Sequence, residues 1–142
     1  MYQALFKLDS FEYLSEQAQC AMMRMLCEAL AQVNGAFLTA NPVPRLYKSG
    51  VRYALPARAQ AQPWRDVPLL LEGGSGACGE LTAWRLAELR LFDGCSSCIP
   101  LVTCKSMKGG LMFHVKVYDP RSGQVEDPSA ILGMGESEWV YF

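Results

Sequence analysis

From about Phe11 to Asn34 the apolar residues Leu14, Ala18, Ala21, Met22, Met25, Leu26, Ala29, Leu30 and Val33 recur at the three-and-four spacing of one helix face. Asp9 or Ser10 supplies an N-cap and Gly35 a stop, so the pattern predicts one long amphipathic helix. The methionines Met22, Met23 and Met25 on it read as packing groups rather than a docking surface. Ahead of it, "YQALFKL" alternates Tyr2, Ala4, Phe6 and Leu8 as a short strand would. Behind it, Pro42, Pro44, Pro56, Pro63 and Pro68 break the pattern. That stretch predicts loops with a short extended piece, and "PARAQAQP" within it reads as a surface loop.

A second helical pattern follows the glycine bend at 73–76. Leu81, Trp84, Ala87, Glu88 and Leu91 share a face, which predicts a helix from Cys78 to about Phe92 burying Leu81, Trp84 and Leu91 together. The bend also brings residues 50 to 68 to the start of that helix. Then the period changes to two. "CIPLVTCKS" is β-prone, and "LMFHVKVYDP" sets Met112, His114, Lys116 and Tyr118 against Leu111, Phe113, Val115 and Val117. After the turn "DPRSG" the chain resumes as "GQVEDPS". A helix followed by an antiparallel meander makes the fold class α+β, and the length and balance fit one domain over residues 1–142.

The turn sets a register. If Pro120 to Gly123 form the connection, Asp119 faces Gln124 and His114 faces Ser129. Asp127 then becomes the diagonal neighbour of His114 on the same sheet face, about 7 Å away at the backbone. Asp119 falls on the other face. A one-residue change in the turn reverses this choice.

Charge removes several function classes. Thirteen basic and 14 acidic residues, scattered along the chain, leave a net charge of -1 and no basic footprint for nucleic acid. No apolar run approaches the roughly 20 residues that span a bilayer, and the first residues lack the zones of a signal peptide. The expected setting is a cytoplasm. There the six cysteines, at 20, 27, 78, 95, 98 and 104, are expected to be reduced, with Cys20 and Cys27 as small core residues on one helix face.

Cys78 is the exception, because a thiol in the first turn of a helix feels the positive end of the dipole and its thiolate is stabilised. A nucleophile also needs a base, and His114 is the only histidine. A rival reading makes the cysteines metal ligands, since Cys95-Ser-Ser-Cys98 has zinc-knuckle spacing and Cys104 and His114 follow. Only one such pair is present, whereas a strong zinc pattern has two. No cofactor or metal is therefore expected.

"GSGACGELTAWRLAELR" followed by "HVKVYDPRSGQVEDPS" resembles the transglutaminase-like superfamily of Cys-His-Asp proteins. Its pattern is a Gly-x-Cys at a helix start, a His in a following strand and an Asp-Pro in the next. Cys78, His114 and Asp127 fall on those positions in order. The resemblance covers residues 64 to 133, and "LYKSGVRY", "CGELTAWRLAELR" and "EDPSAILGM" look most like the small stand-alone members encoded by tailed bacteriophages.

The resemblance implies a papain-like core, with a thiol-bearing helix packed on a small antiparallel sheet and an N-terminal helix. It implies acyl transfer on amide bonds of a protein or peptide, as a peptidase, amidase or cross-linking enzyme, in the host cytoplasm. Cys78 is the nucleophile, His114 carries the proton and Asp127 fixes the ring. The oxyanion is held by the Cys78 N–H and a second donor, for which Tyr53, Gln60 and Gln62 are candidates. The alternative is a non-catalytic, virion-associated or assembly protein that keeps the fold as a binding module. Its motivation is Ala77 and Gly79, which stand where those relatives commonly have acidic residues, and the apolar end "EWVYF". Trp139, Tyr141 and Phe142 read first as core or edge-strand residues; if exposed, they suit a partner's groove.

Overall fold

The computed structural model describes residues 10, 13–54, 64–107, 110–135 and 140–141, with 106, 107, 110, 111, 140 and 141 described by backbone only. The strand expected over Tyr2 to Leu8, the stretch "PARAQAQP", and Gln60, Gln62, Trp139 and Phe142 lie outside the described residues. The fold is mixed α+β, with a small antiparallel sheet and an N-terminal helix. Among the described residues no helix is long and apolar enough to cross a membrane.

Helix α1 spans Glu16–Ala40, five residues later at its start and six later at its end than the pattern predicts. Ser15 is the cap, its hydroxyl accepting the Ala18 N–H at 3.1 Å. Gly35 does not stop the helix, because Leu38 beyond it is drawn into the core. The buried side of α1 is Gln19, Met23, Cys27, Ala31, Asn34 and Leu38, so the apolar stripe read from the sequence was rotated. Met25 and Val33 are more than half exposed, and Cys20 is only partly buried.

A 3-10 turn at Leu46–Lys48 precedes strand β1 (Arg52–Tyr53). Helix α2 (Val67–Gly73) was not expected from its proline-rich surroundings. It forms because Pro68 falls in the first turn, where the missing N–H costs nothing, and because buried Asn34 accepts the Val67 N–H at 3.1 Å. Strand β2 (Ser75–Gly76) pairs parallel with β1, which lays the 52–54 segment along the glycine bend as expected.

Helix α3 runs Cys78–Phe92, as read from the sequence, but it is enclosed on nearly every side. Leu81 and Trp84 are buried, while Leu91 is 44% exposed and does not join them. The meander is β3 (Ile99–Met107), β4 (Gly110–Asp119) and β5 (Gln124–Glu126), in the order β3-β4-β5. A one-turn helix α4 (Pro128–Ile131) follows, and strand β6 (Val140–Tyr141) pairs with Met112 and Phe113 of β4. For residues 140–141, then, the edge-strand reading holds.

One expectation about the cysteines fails. Cys95 and Cys98 form a disulfide in the tight turn between α3 and β3, where their Cα atoms are 5.6 Å apart. The turn brings the two side chains together irrespective of compartment; Cys20, Cys27, Cys78 and Cys104 are free thiols.

Candidate functional site

Strand β4 is the platform. Along one edge it pairs with β3 from Ile99↔Tyr118 to Met107↔Gly110. Along the other, β5 covers Val117 to Asp119 and β6 covers Met112 and Phe113. Residues 114–116 are left between them with no described strand on that edge. In an antiparallel pair the N–H and C=O of one residue point to the same edge, so Val115 presents both to the gap.

Helix α3 fills the gap. The Thr82 hydroxyl donates to the Val115 carbonyl at 3.0 Å, and the Val115 N–H is directed at the Cys78 sulfur. Cys78 and Thr82, four apart on one helix face, thus replace a strand partner. This docking puts the thiol against the backbone of the residue next to His114.

On β4 and β5 the register is Asp119↔Gln124 and Val117↔Glu126, as the four-residue turn requires. It places Asp127 on the face of His114, and the His114 Nε2 to Asp127 Oδ2 distance is 2.9 Å. The other carboxylate oxygen, Oδ1, accepts the Ser129 and Ala130 N–H groups at 3.1 and 3.3 Å and so caps α4. Burial works against the charged carboxylate, but the hydrogen bond and charge of His114, with the Ala130 N–H, outweigh it and hold Asp127 below the usual carboxylate range. Asp119 instead accepts the Arg121 N–H at the turn.

The acidity expected of Cys78 is not what the closed site gives. The residue is 0% exposed, and burial pushes its thiol up to about 12. The N–H groups of Val115, Gly79 and Cys78 itself favour the thiolate, yet desolvation outweighs them and the nearby Asp127 charge adds to it. The resting thiol is therefore protonated. Behind it the Cys27 thiol donates to the Gly79 carbonyl at 3.7 Å, and burial raises that thiol as well.

The segment bordering the helix start is held by Glu80. Its Oε1 accepts the Ala77 N–H at 2.9 Å, while its Oε2 accepts the Arg65 N–H at 2.7 Å and Arg65 Nε at 2.9 Å. Ala77 has no side-chain acceptor, so this is the reciprocal half of a capping box alone. The Trp64 indole then rests on Gly79, where an added Cβ would lie 2.5 Å from the ring. Gly79 is a glycine because Trp64 occupies that space. Tyr53, one of the three oxyanion candidates, packs between the core cluster that contains Cys78 and the cluster around Leu81 and Trp84.

Several residues that the sequence did not single out position the site. Arg85 Nε is 2.6 Å from Glu126 Oε2, and the same oxygen accepts the Tyr47 hydroxyl at 2.6 Å. Arg85 also reaches Glu88, a buried carboxylate that accepts the Leu46 N–H at 2.8 Å. Glu126 precedes Asp127, so the cluster ties the carboxylate-bearing strand to the thiol-bearing helix. Thr82, one turn after Cys78, was legible from spacing; the Arg85 and Trp64 contacts join distant segments and had no local signal.

An open groove of about 580 Å³ runs beside Asp127 and Glu126 to Asp119, Cys95 and Cys98. The metal set expected as a rival, Cys95, Cys98, Cys104 and His114, is not assembled. Cys104 donates to Glu16 at 2.8 Å, and His114 is held by Asp127. No family model, no curated protein and no solved structure matches the chain.

Proposed function

We propose that the chain is a transglutaminase-like, papain-like enzyme of phage type, carrying out cysteine-dependent acyl transfer on protein or peptide amides through Cys78, His114 and Asp127. The observation that carries the reading is the 2.9 Å contact between His114 Nε2 and Asp127 Oδ2, on a strand whose next residue directs its N–H at the Cys78 sulfur. With Nε2 committed to Asp127, Nδ1 is the nitrogen that takes the thiol proton.

Because the resting thiol is neutral, His114 acts as a general base when a carbonyl arrives. The S–H proton passes to Nδ1, the sulfur–carbon bond forms, and the oxyanion is held by the Cys78 N–H and a donor from the segment carrying Tyr53, Gln60 and Gln62. Collapse breaks the carbon–nitrogen bond, and His114 returns the proton to the leaving amine. Water or a second amine then releases the acyl group from Cys78. Asp127 stabilises the imidazolium and fixes its tautomer throughout.

The test is covalent capture. Incubation with a peptide amide bearing a thiol-directed electrophile, read by mass spectrometry, should modify Cys78 in the wild type. Capture should fail in His114→Ala and Asp127→Asn variants that keep the wild-type circular dichroism. Equal capture in the His114→Ala variant would reject the triad. The full burial of Cys78 favours a second reading, a non-catalytic binding module that keeps the fold. Absence of capture from wild type with an intact fold selects it.

A further inference from the structure

The groove ends in a cluster that acyl transfer does not use. Helix α3 stops at Phe92, Gly94 reverses the chain at φ 68°, and the Cys95 N–H donates to the Leu89 carbonyl at 2.9 Å. Cys98 then closes back on Cys95 through a long 3.4 Å backbone bond. Because Ile99 pairs with Tyr118, the next residue along β4, Asp119, arrives beside this turn. One ligand atom from each of Cys95, Cys98 and Asp119 lies within 4.8 Å of the other two. All three line the groove, so the cluster has an approach from solvent.

We propose that reduction of the Cys95–Cys98 disulfide converts this end of the groove into a site for a soft divalent cation of the zinc class, held by both thiolates and the Asp119 carboxylate. The donor set selects the metal. Two sulfurs favour zinc-like ions over magnesium or calcium, which take oxygen ligands. Cysteines three apart are the spacing with which one ion is gripped by a turn. At a tetrahedral ion the sulfurs stand about 3.8 Å apart, which side-chain rotation supplies once the covalent bond is gone. The fourth position faces the groove, where water can enter, and Asp119 exchanges its contacts with Arg121 for the ion. The sequence could not indicate Asp119, which is 21 residues beyond Cys98 and joins it only through the β3-β4 hairpin.

The chemistry balances with one co-reactant. A small dithiol reduces the S–S bond with two electrons and two protons and is itself oxidised to a disulfide. The cation then displaces both thiol protons as it binds. Disulfide and metal site are mutually exclusive states of the same two sulfurs.

The full chain, reduced with a phosphine and freed of metal, should take up one equivalent of Co²⁺ with a thiolate-to-cobalt charge-transfer absorption that Zn²⁺ abolishes. Cys98→Ser should remove that absorption, and Asp119→Asn should weaken binding by about tenfold or more. Cys78→Ser, Cys104→Ser and His114→Ala should leave it unchanged, so failure here is separable from failure of the acyl-transfer reading. The oxidised wild type, folded and lacking these thiolates, should show no such absorption. The proposal is overturned if reduced protein binds no cobalt, if the absorption survives Cys98→Ser or oxidation, or if binding depends on His114 and not on Asp119.

Discussion

His114 on β4 and Asp127, the residue that follows β5, meet at 2.9 Å, and the same carboxylate caps α4 through Ser129 and Ala130. Asp127→Asn retains a capping oxygen but not the negative charge beside the ring. It should therefore fold near normally and lose about 10²-fold or more in acyl transfer. Asp127→Ala should in addition lose about 1 kcal/mol from the vacated cap. Asp119→Ala should leave turnover unchanged. Steady-state rates with urea unfolding separate the two effects, and a loss confined to the Asp119 variant would reverse the assignment.

The depressed Asp127 pKa sets an acid limit. Its stabilising contribution is present above the unfolded carboxylate value of about 3.9 and is lost as pH falls through the lower folded value. Unfolding free energies between about pH 5 and 2 should decline less in Asp127→Asn than in wild type. An unchanged acid slope would count against the pairing.

At the alkaline end the sign is opposite. The Cys78 thiol, pushed up to about 12 by burial, keeps a proton that the unfolded chain releases near about pH 8.5. Its contribution is complete below the unfolded value and drains as pH rises toward the folded one. Reduced wild type should lose stability steadily above about pH 8.5, and Cys78→Ala should flatten part of that slope. Cys27, raised for the same reason, accounts for another part. If Cys78→Ala and Cys27→Ala both leave the slope unchanged, these thiols are not the buried acids described.

Trp64 on Gly79 makes a steric prediction. Gly79→Ala places a methyl 2.5 Å from the ring and should cost about 1–3 kcal/mol, with much of the loss recovered in a Gly79→Ala/Trp64→Ala double variant. Trp64→Ala alone should speed alkylation of Cys78 by uncovering the first turn of α3. Double-mutant unfolding and peptide mapping measure both. Strictly additive losses would mean that the ring does not determine the glycine.

Arg85 links Glu88 on α3 to Glu126 on β5. Removing it leaves a buried carboxylate without its cation, so Arg85→Ala should cost about 3 kcal/mol or more. Turnover by the folded fraction should also fall, because Glu126 no longer fixes its neighbour Asp127. A stability loss with unchanged turnover would limit Arg85 to packing.

The sequence by itself determined the local elements whose signals are local. Helix α3 from Cys78 to Phe92 follows from the glycine bend and apolar spacing. The β4-β5 register follows from a four-residue turn, which pairs Asp119 with Gln124 and Val117 with Glu126 and so brings Asp127 to the face of His114; the pairing stops at Glu126, and Ser129, expected opposite His114, lies in α4 instead. Tertiary structure decided what depends on which surfaces meet. Gly35 and the rotated stripe of α1 were misread because burial of Leu38 and Cys27 outweighs a single weak helix former. Helix α2 exists because Asn34, 33 residues upstream, satisfies its first N–H. The acidity of Cys78 was misread for the same kind of reason. A helix terminus can be seen in the chain, but the desolvation that opposes it arises only when α1, α3 and β4 close around the sulfur.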